Sequence, residues 1–214
     1  DLRMSRGLGD VYKRQVMNKT IQILAEAIGM IPRQFYSNCS GDNSTRLSCE
    51  RFASQLIVRF RKVSGAHCKT ETLLPTSEII EKFACTPEKK AMLRKLAAGI
   101  SSVSEFTPCL FMEQSVTLPL SKVTIVELMT ERKLKRGAFY WDFFKLHFLV
   151  EQNRTSSGIY FIINQDVDSI QKKISAYYER GFYASLREDD IFFLIKKDYS
   201  SEIIILNSRG DIIL

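Results

Sequence analysis

Phe139-Tyr140-Trp141-Asp142-Phe143-Phe144-Lys145-Leu146-His147-Phe148-Leu149-Val150 is the stretch on which the architecture turns. Its aromatic density suits either a helix or a strand. The run that follows, Gln152-Asn153-Arg154-Thr155-Ser156-Ser157-Gly158, is rich in turn formers and leads directly into Ile159-Tyr160-Phe161-Ile162-Ile163. Two apolar runs joined by such a loop predict a β-hairpin, so 139–150 is read as a strand.

Beyond the hairpin, Asp166 stands at the start of a predicted helix with Val167, Ile170, Ile174, Tyr177 and Tyr178 on its apolar face. Gly181 stops that helix, because glycine accepts the left-handed conformation of a helix end. Ile191 to Ile195 and Ile203 to Leu206 follow as strands joined by a short polar turn, and Asn207 to Leu214 reads as a turn and the opening of another strand. Upstream, Cys109 to Leu118 and Val123 to Leu128 read as strands, although 123–133 also fits a helix.

Before Ser101 to Pro108 the period is helical. Ile21, Leu24, Ala25 and Ile28 recur at helix spacing. Between Arg46 and Val63, Cys49, Phe52, Leu56, Phe60 and Val63 share one face, and Arg51, Gln55, Arg59 and Lys62 share the neighbouring one. Thr86-Pro87-Glu88 supplies an N-cap, a first-turn proline and a first-turn acid for a helix reaching Ala98. The expected fold is α+β: a helical N-terminal half, then a small, mostly antiparallel sheet packed by one amphipathic helix. The expected segments are 1–15, 16–108 and 109–214.

The first segment is set apart because Ser5 to Gln15 can be written back as an unbroken read through a DNA adapter. It resembles the end left by transposase-based sequencing-library preparation, and 1–15 is expected to be an unstructured artefact. The chain is accordingly expected to come from fragmentary, metagenomic DNA of bacterial or phage-like origin. Ending on Ile212-Ile213-Leu214 fits both a frame cut at a fragment edge and a complete domain.

Charge sharpens the division. Of the net charge of +7, residues 16–136 carry 18 Lys/Arg against 11 Asp/Glu, whereas 137–214 carry 9 against 11. A basic surplus confined to one half points to an anionic partner, either nucleic acid or an acidic protein surface. Hydrophobic content of 45% and charged content of 26% are those of a globular chain. No apolar run has the length of a membrane span. The five cysteines, Cys39, Cys49, Cys68, Cys85 and Cys109, form no C-x-x-C and no zinc spacing. They read as free thiols, and a cytoplasmic location is expected. No metal and no cofactor is expected.

Three basic sets are candidate contact residues. Thr76 to Leu96 superficially resembles a helix-turn-helix, with Lys89, Lys90, Arg94 and Lys95 on its second helix. Ile80 sits where close packing wants a small residue and Lys90 where an apolar one should turn inward, so a plain helical hairpin is the better reading. Arg51, Arg59 and Lys62, with Arg61 nearby, form a second set. Arg132, Lys133, Lys135 and Arg136, just before the aromatic run, form a third.

Catalytic patterns are thin. Phosphate-loop, dinucleotide, nucleophile-elbow and zinc-protease motifs do not occur. His147 lies among apolar neighbours and reads as structural. Glu188-Asp189-Asp190 and Lys196-Lys197 stand at opposite ends of a strand, too far apart to converge on one metal. The expected function is a non-enzymatic binding or assembly module whose basic helical half contacts nucleic acid or an acidic protein. The alternative is an accessory N-terminal or linker region of a larger ATPase or nucleic-acid-processing enzyme. A scaffold that self-associates through open sheet edges is a third possibility.

Overall fold

The computed structural model describes residues 19–37, 45–65, 67–72, 80–81, 83, 86–98, 108–113, 123–130, 134–151, 157–182 and 191–213. The adapter-like leader, Arg132, Lys133 and the acidic run at 188–190 lie outside the described residues.

Six strands form one sheet in chain order. Strands β1 (His67–Thr72), β2 (Pro108–Glu113) and β3 (Val123–Met129) make an antiparallel meander. Strand β4 (Ser157–Ile163) then pairs parallel to β3, and β5 (Ile191–Lys196) parallel to β4. Strand β6 (Ile204–Asn207) closes antiparallel to β5. The α+β class is as expected, but the sheet is mixed rather than mostly antiparallel, and it is mostly parallel from β3 onward. The helical first half also contributes a strand, β1. The alternative helical reading of 123–133 gives way to β3.

The parallel pairing follows from the opening stretch of sequence, whose expected reading as a strand is overturned. Helix α5 (Arg136–Glu151) takes it up. It is a crossover between two parallel strands, not one arm of a hairpin. A β-strand usually runs four to eight residues, and this apolar run is longer. Asp142 and Lys145, three apart, meet as an ion pair only on a helix. What hid the helix is that every residue from Phe139 to Val150 is buried. A helix enclosed on all sides has no polar face to reveal its period.

Helix α6 (Val167–Glu179) is the second crossover. Its face is the expected one: Ile170, Ile174 and Tyr177 are buried, and Gly181 adopts φ +65 beyond its end. Asp166 occupies the N-cap position in extended backbone but makes no side-chain cap. Its carboxylate instead pairs with Lys197 Nζ at 2.8 Å. Buried residues of α5 and α6 join one core, so both crossover helices lie on one face of the sheet, as crossovers of one hand advancing in one direction require. Strand residues alternate accordingly. Ile125, Tyr160, Ile162, Phe193 and Ile195 join the core beneath α5 and α6. Val126, Leu128, Ile159, Phe161, Ile163, Phe192 and Leu194 join a second core on the opposite face.

That second face is covered by the first helices, so the sheet is packed by more than one amphipathic helix. Helix α1 (19–29) buries Ile21, Leu24, Ala27 and Ile28, with Ala27 taking the place expected for Ala25. The short α2 (Gln34–Ser37) adds Tyr36, whose hydroxyl donates to the Ile28 carbonyl at 3.0 Å. Helix α3 (Thr45–Ser64) lays Phe52, Leu56 and Phe60 on the sheet. Helix α4 (Pro87–Ala98) returns to the α5 side, where Leu93 is buried and Met92, Leu96 and Ala97 pack against the core. Its start is as the sequence suggests, with Thr86 Oγ1 accepting from Lys89 N at 3.4 Å.

Helix α5 is enclosed because the sheet, α6, α4 and Phe83 all pack against it. Phe139 stacks on Tyr160 and Phe193 of the sheet, with ring centroids 5.5 and 5.9 Å apart. Tyr140 and Phe143 turn toward Tyr177 of α6. Trp141 packs on Phe144 at 5.7 Å, and Phe83 meets Phe144 edge-on at 5.0 Å. Gly158 lets α5 approach β4 closely, since a β-carbon there would lie 3.3 Å from Leu146 Cδ2.

Candidate functional site

The structure sorts the expected basic residues onto opposite faces of the sheet. Arg51, Arg59 and Lys62 belong to α3. Arg51 and Lys62 are exposed, and Arg59 is half-buried with its Nε enclosed and without a hydrogen-bond partner among the described residues. The half-burial follows from helix geometry, because position 59 borders the Phe52–Leu56–Phe60 stripe.

The other described candidates lie across the sheet. The last turn of α4 packs on the first turn of α5, where a β-carbon at Gly137 would meet Leu96 Cδ1 at 3.7 Å. Lys95, next to Leu96 in the chain, and Lys135 and Arg136, next to Gly137, flank this contact, and all three are exposed. Lys89, Lys90 and Arg94 lie earlier along α4, where Arg94 is exposed and Lys89 and Lys90 are half-buried. Arg136 also acts on Lys173 of α6, whose pKa falls below its ordinary value through burial first and the Arg136 charge second. Six of the expected basic residues thus belong to elements that pack on the same face of the sheet. Lys173 joins them, although the sequence reading passed over it as part of the flank of α6.

A carboxylate stands beside α4. Glu81 lies between two anchors, Ile80 and Phe83, that are both buried in the α5-side core. The side chain between them is exposed and held over α4. Lys90 Nζ lies 3.4 Å from Glu81 Oε2 and donates to the Glu81 carbonyl at 3.0 Å. Arg94 pairs with Glu81 Oε1. The hydrogen bond from Arg94, then the charge of Lys90, hold the Glu81 carboxyl below the usual range. Glu88, the one acid of α4, is held low by its own backbone N–H and by the Thr86 hydroxyl at the helix N-terminus. The contacts between Glu81 and its partners span 9 and 13 residues, so no helical spacing announced them.

A second ion cluster lies beneath α5. Lys145 Nζ sits 3.0 Å from Asp142 Oδ1 and 3.2 Å from Glu127 Oε2. Tyr160 donates to Asp142 Oδ2 at 2.8 Å. Glu127 and Tyr160 are register partners on β3 and β4, so the cluster ties α5 to both strands. These four residues are buried, and the contacts hold the helix at one position on the sheet. His147 is also enclosed, as expected for a structural imidazole, with Tyr177 Oη 3.4 Å from its Nδ1. Burial pushes its pKa well below the usual 6.5.

Among the described residues no three His, Cys, Asp or Glu side chains gather in a metal-binding group. None of the described helices is long and apolar enough to cross a membrane. Comparison with protein-family models, with curated proteins and with solved structures finds no match.

Proposed function

We propose that this chain is a non-enzymatic, cytoplasmic binding module that contacts a polyanion, nucleic acid or an acidic protein surface, through the α4–α5 rim. The observation that supports the reading is the Leu96–Gly137 contact, which joins α4, bearing Lys89, Lys90, Arg94 and Lys95, to the start of α5, bearing Lys135 and Arg136. Exposed cations that share a surface sum their fields and release counterions from a polyanion, whereas the same cations scattered over the surface do neither. The contact draws on both expected segments, α4 from 16–108 and the start of α5 from 109–214. The cysteine usage supports the assigned compartment.

The test is the salt dependence of binding to a DNA duplex. Replacing Lys95, Lys135 and Arg136 with Gln should flatten the slope of log affinity against log salt by about 2.7, roughly 0.9 for each lost phosphate contact. Arg51→Gln/Lys62→Gln on the opposite face should leave the slope unchanged. A slope that responds to the α3 pair and not to the rim triple contradicts this reading.

A further inference from the structure

Glu81 has a role on the rim that follows from the binding reading above and rests on it. Its carboxylate bridges an ammonium and a guanidinium, each a natural partner for an oxyanion. Lys90 and Arg94 are four apart on α4, so they project from the same side and converge on one acceptor. Buried Ile80 and Phe83 fix the backbone on either side of Glu81, so the acid is presented by the core and not by a loose loop. The side chains of Glu81 and Arg94 are themselves more than half exposed, at 57% and 58%, which keeps the contact open to exchange with solvent ions.

We propose that Glu81 is a built-in competitor: its carboxylate occupies, between Lys90 and Arg94, the place that a phosphate oxygen of a nucleic acid takes on binding. An acidic protein presenting one carboxylate there exchanges like for like and gains nothing at that position. A nucleic acid differs in charge density. A duplex carries one negative charge per roughly 1.7 Å of axis, and displacing its counterions favours the complex. Even a wholly acidic extended polypeptide carries only one per roughly 3.3 Å. Exposed ion pairs are weak enough for the denser ligand to displace. Glu81 therefore tunes the rim toward nucleic acid and against acidic proteins.

The experiment measures fluorescence anisotropy of the full chain with a labelled DNA duplex and with labelled polyglutamate at low salt. Wild type should bind the duplex and not polyglutamate. Glu81→Gln should tighten duplex binding about threefold to tenfold, the range that releasing exposed ion pairs allows, and should begin to retain polyglutamate. Adding Arg94→Gln should reverse the gain, and Glu81→Ser should reproduce it as an independent variant. Unchanged duplex affinity in both Glu81 variants overturns the inference, while a weakened rim triple would keep the binding reading intact. Polyglutamate bound by wild type as tightly as duplex overturns the selectivity. Binding of neither ligand by wild type overturns the binding reading itself.

Discussion

Two ion clusters in this protein are mirror images in composition. Beneath α5 one ammonium, Lys145, lies between two carboxylates, Asp142 and Glu127. On the rim one carboxylate, Glu81, lies between two cations, Lys90 and Arg94. The charges are arranged alike, but the surroundings are not. Side-chain exposure is 1% for Lys145 and 57% for Glu81. Removing one partner from a buried cluster strands charge in a medium that cannot solvate it. Water replaces a partner lost from an exposed cluster at small cost. The same chemistry thus anchors a helix in one place and leaves a contact exchangeable in the other.

The largest expected effect breaks the buried side of this comparison. Lys145→Met should destabilise the fold by about 3–5 kcal/mol, read as a fall in the urea midpoint, because Asp142 and Glu127 remain buried without their ammonium. The triple Glu127→Leu/Asp142→Leu/Lys145→Met should recover most of that loss, since it leaves no buried charge and removes only the Asp142 acceptor of the Tyr160 hydroxyl. A Lys145→Met protein as stable as wild type would mean that the cluster holds nothing in place.

A smaller effect comes from His147. Its pKa is lowered in the folded state by burial. The unfolded chain therefore takes up a proton at a pH where the native chain does not. Stability from this group is full above pH about 6.5 and falls as pH drops below it, by up to about 1.4 kcal/mol per pH unit. His147→Gln should remove that part of the acid sensitivity, as measured by urea midpoints across pH 5 to pH 7. An unchanged pH profile would show that the native imidazole is free to protonate. Smallest of all, Glu81→Gln should leave the urea midpoint where it is and act on ligand affinity alone.

What the sequence made legible follows the same divide between exposed and enclosed. Helix α3 was readable because Phe52, Leu56 and Phe60 face the core while Arg51 and Lys62 face water. Helix α6 and strands β5 and β6 were readable for the same reason, or from their turns. The Asn207–Asp211 turn is closed by Asn207 Oδ1, which accepts from the N–H groups of Arg209 and Asp211 at 2.9 Å. Ile212 then bridges Leu206, where another strand was expected to open. Helix α5 was not readable from polarity, because α4, Phe83, α6 and the sheet enclose it. Its one legible mark was Asp142 and Lys145 at helical spacing, against aromatic residues that favour strands. The candidate residues were visible as charges, but their grouping was not. The meeting of Leu96 with Gly137, and of Glu81 with Lys90 and Arg94, depends on tertiary packing and leaves no periodic trace.

The most direct test of the account is amide hydrogen exchange of the full chain with and without a DNA duplex at low salt. The account predicts slower exchange in 87–98 and 134–138, with residues 45–64 of α3 and the buried strand β4 unchanged. Protection that falls on 45–64 instead, or that appears in neither place, would contradict it.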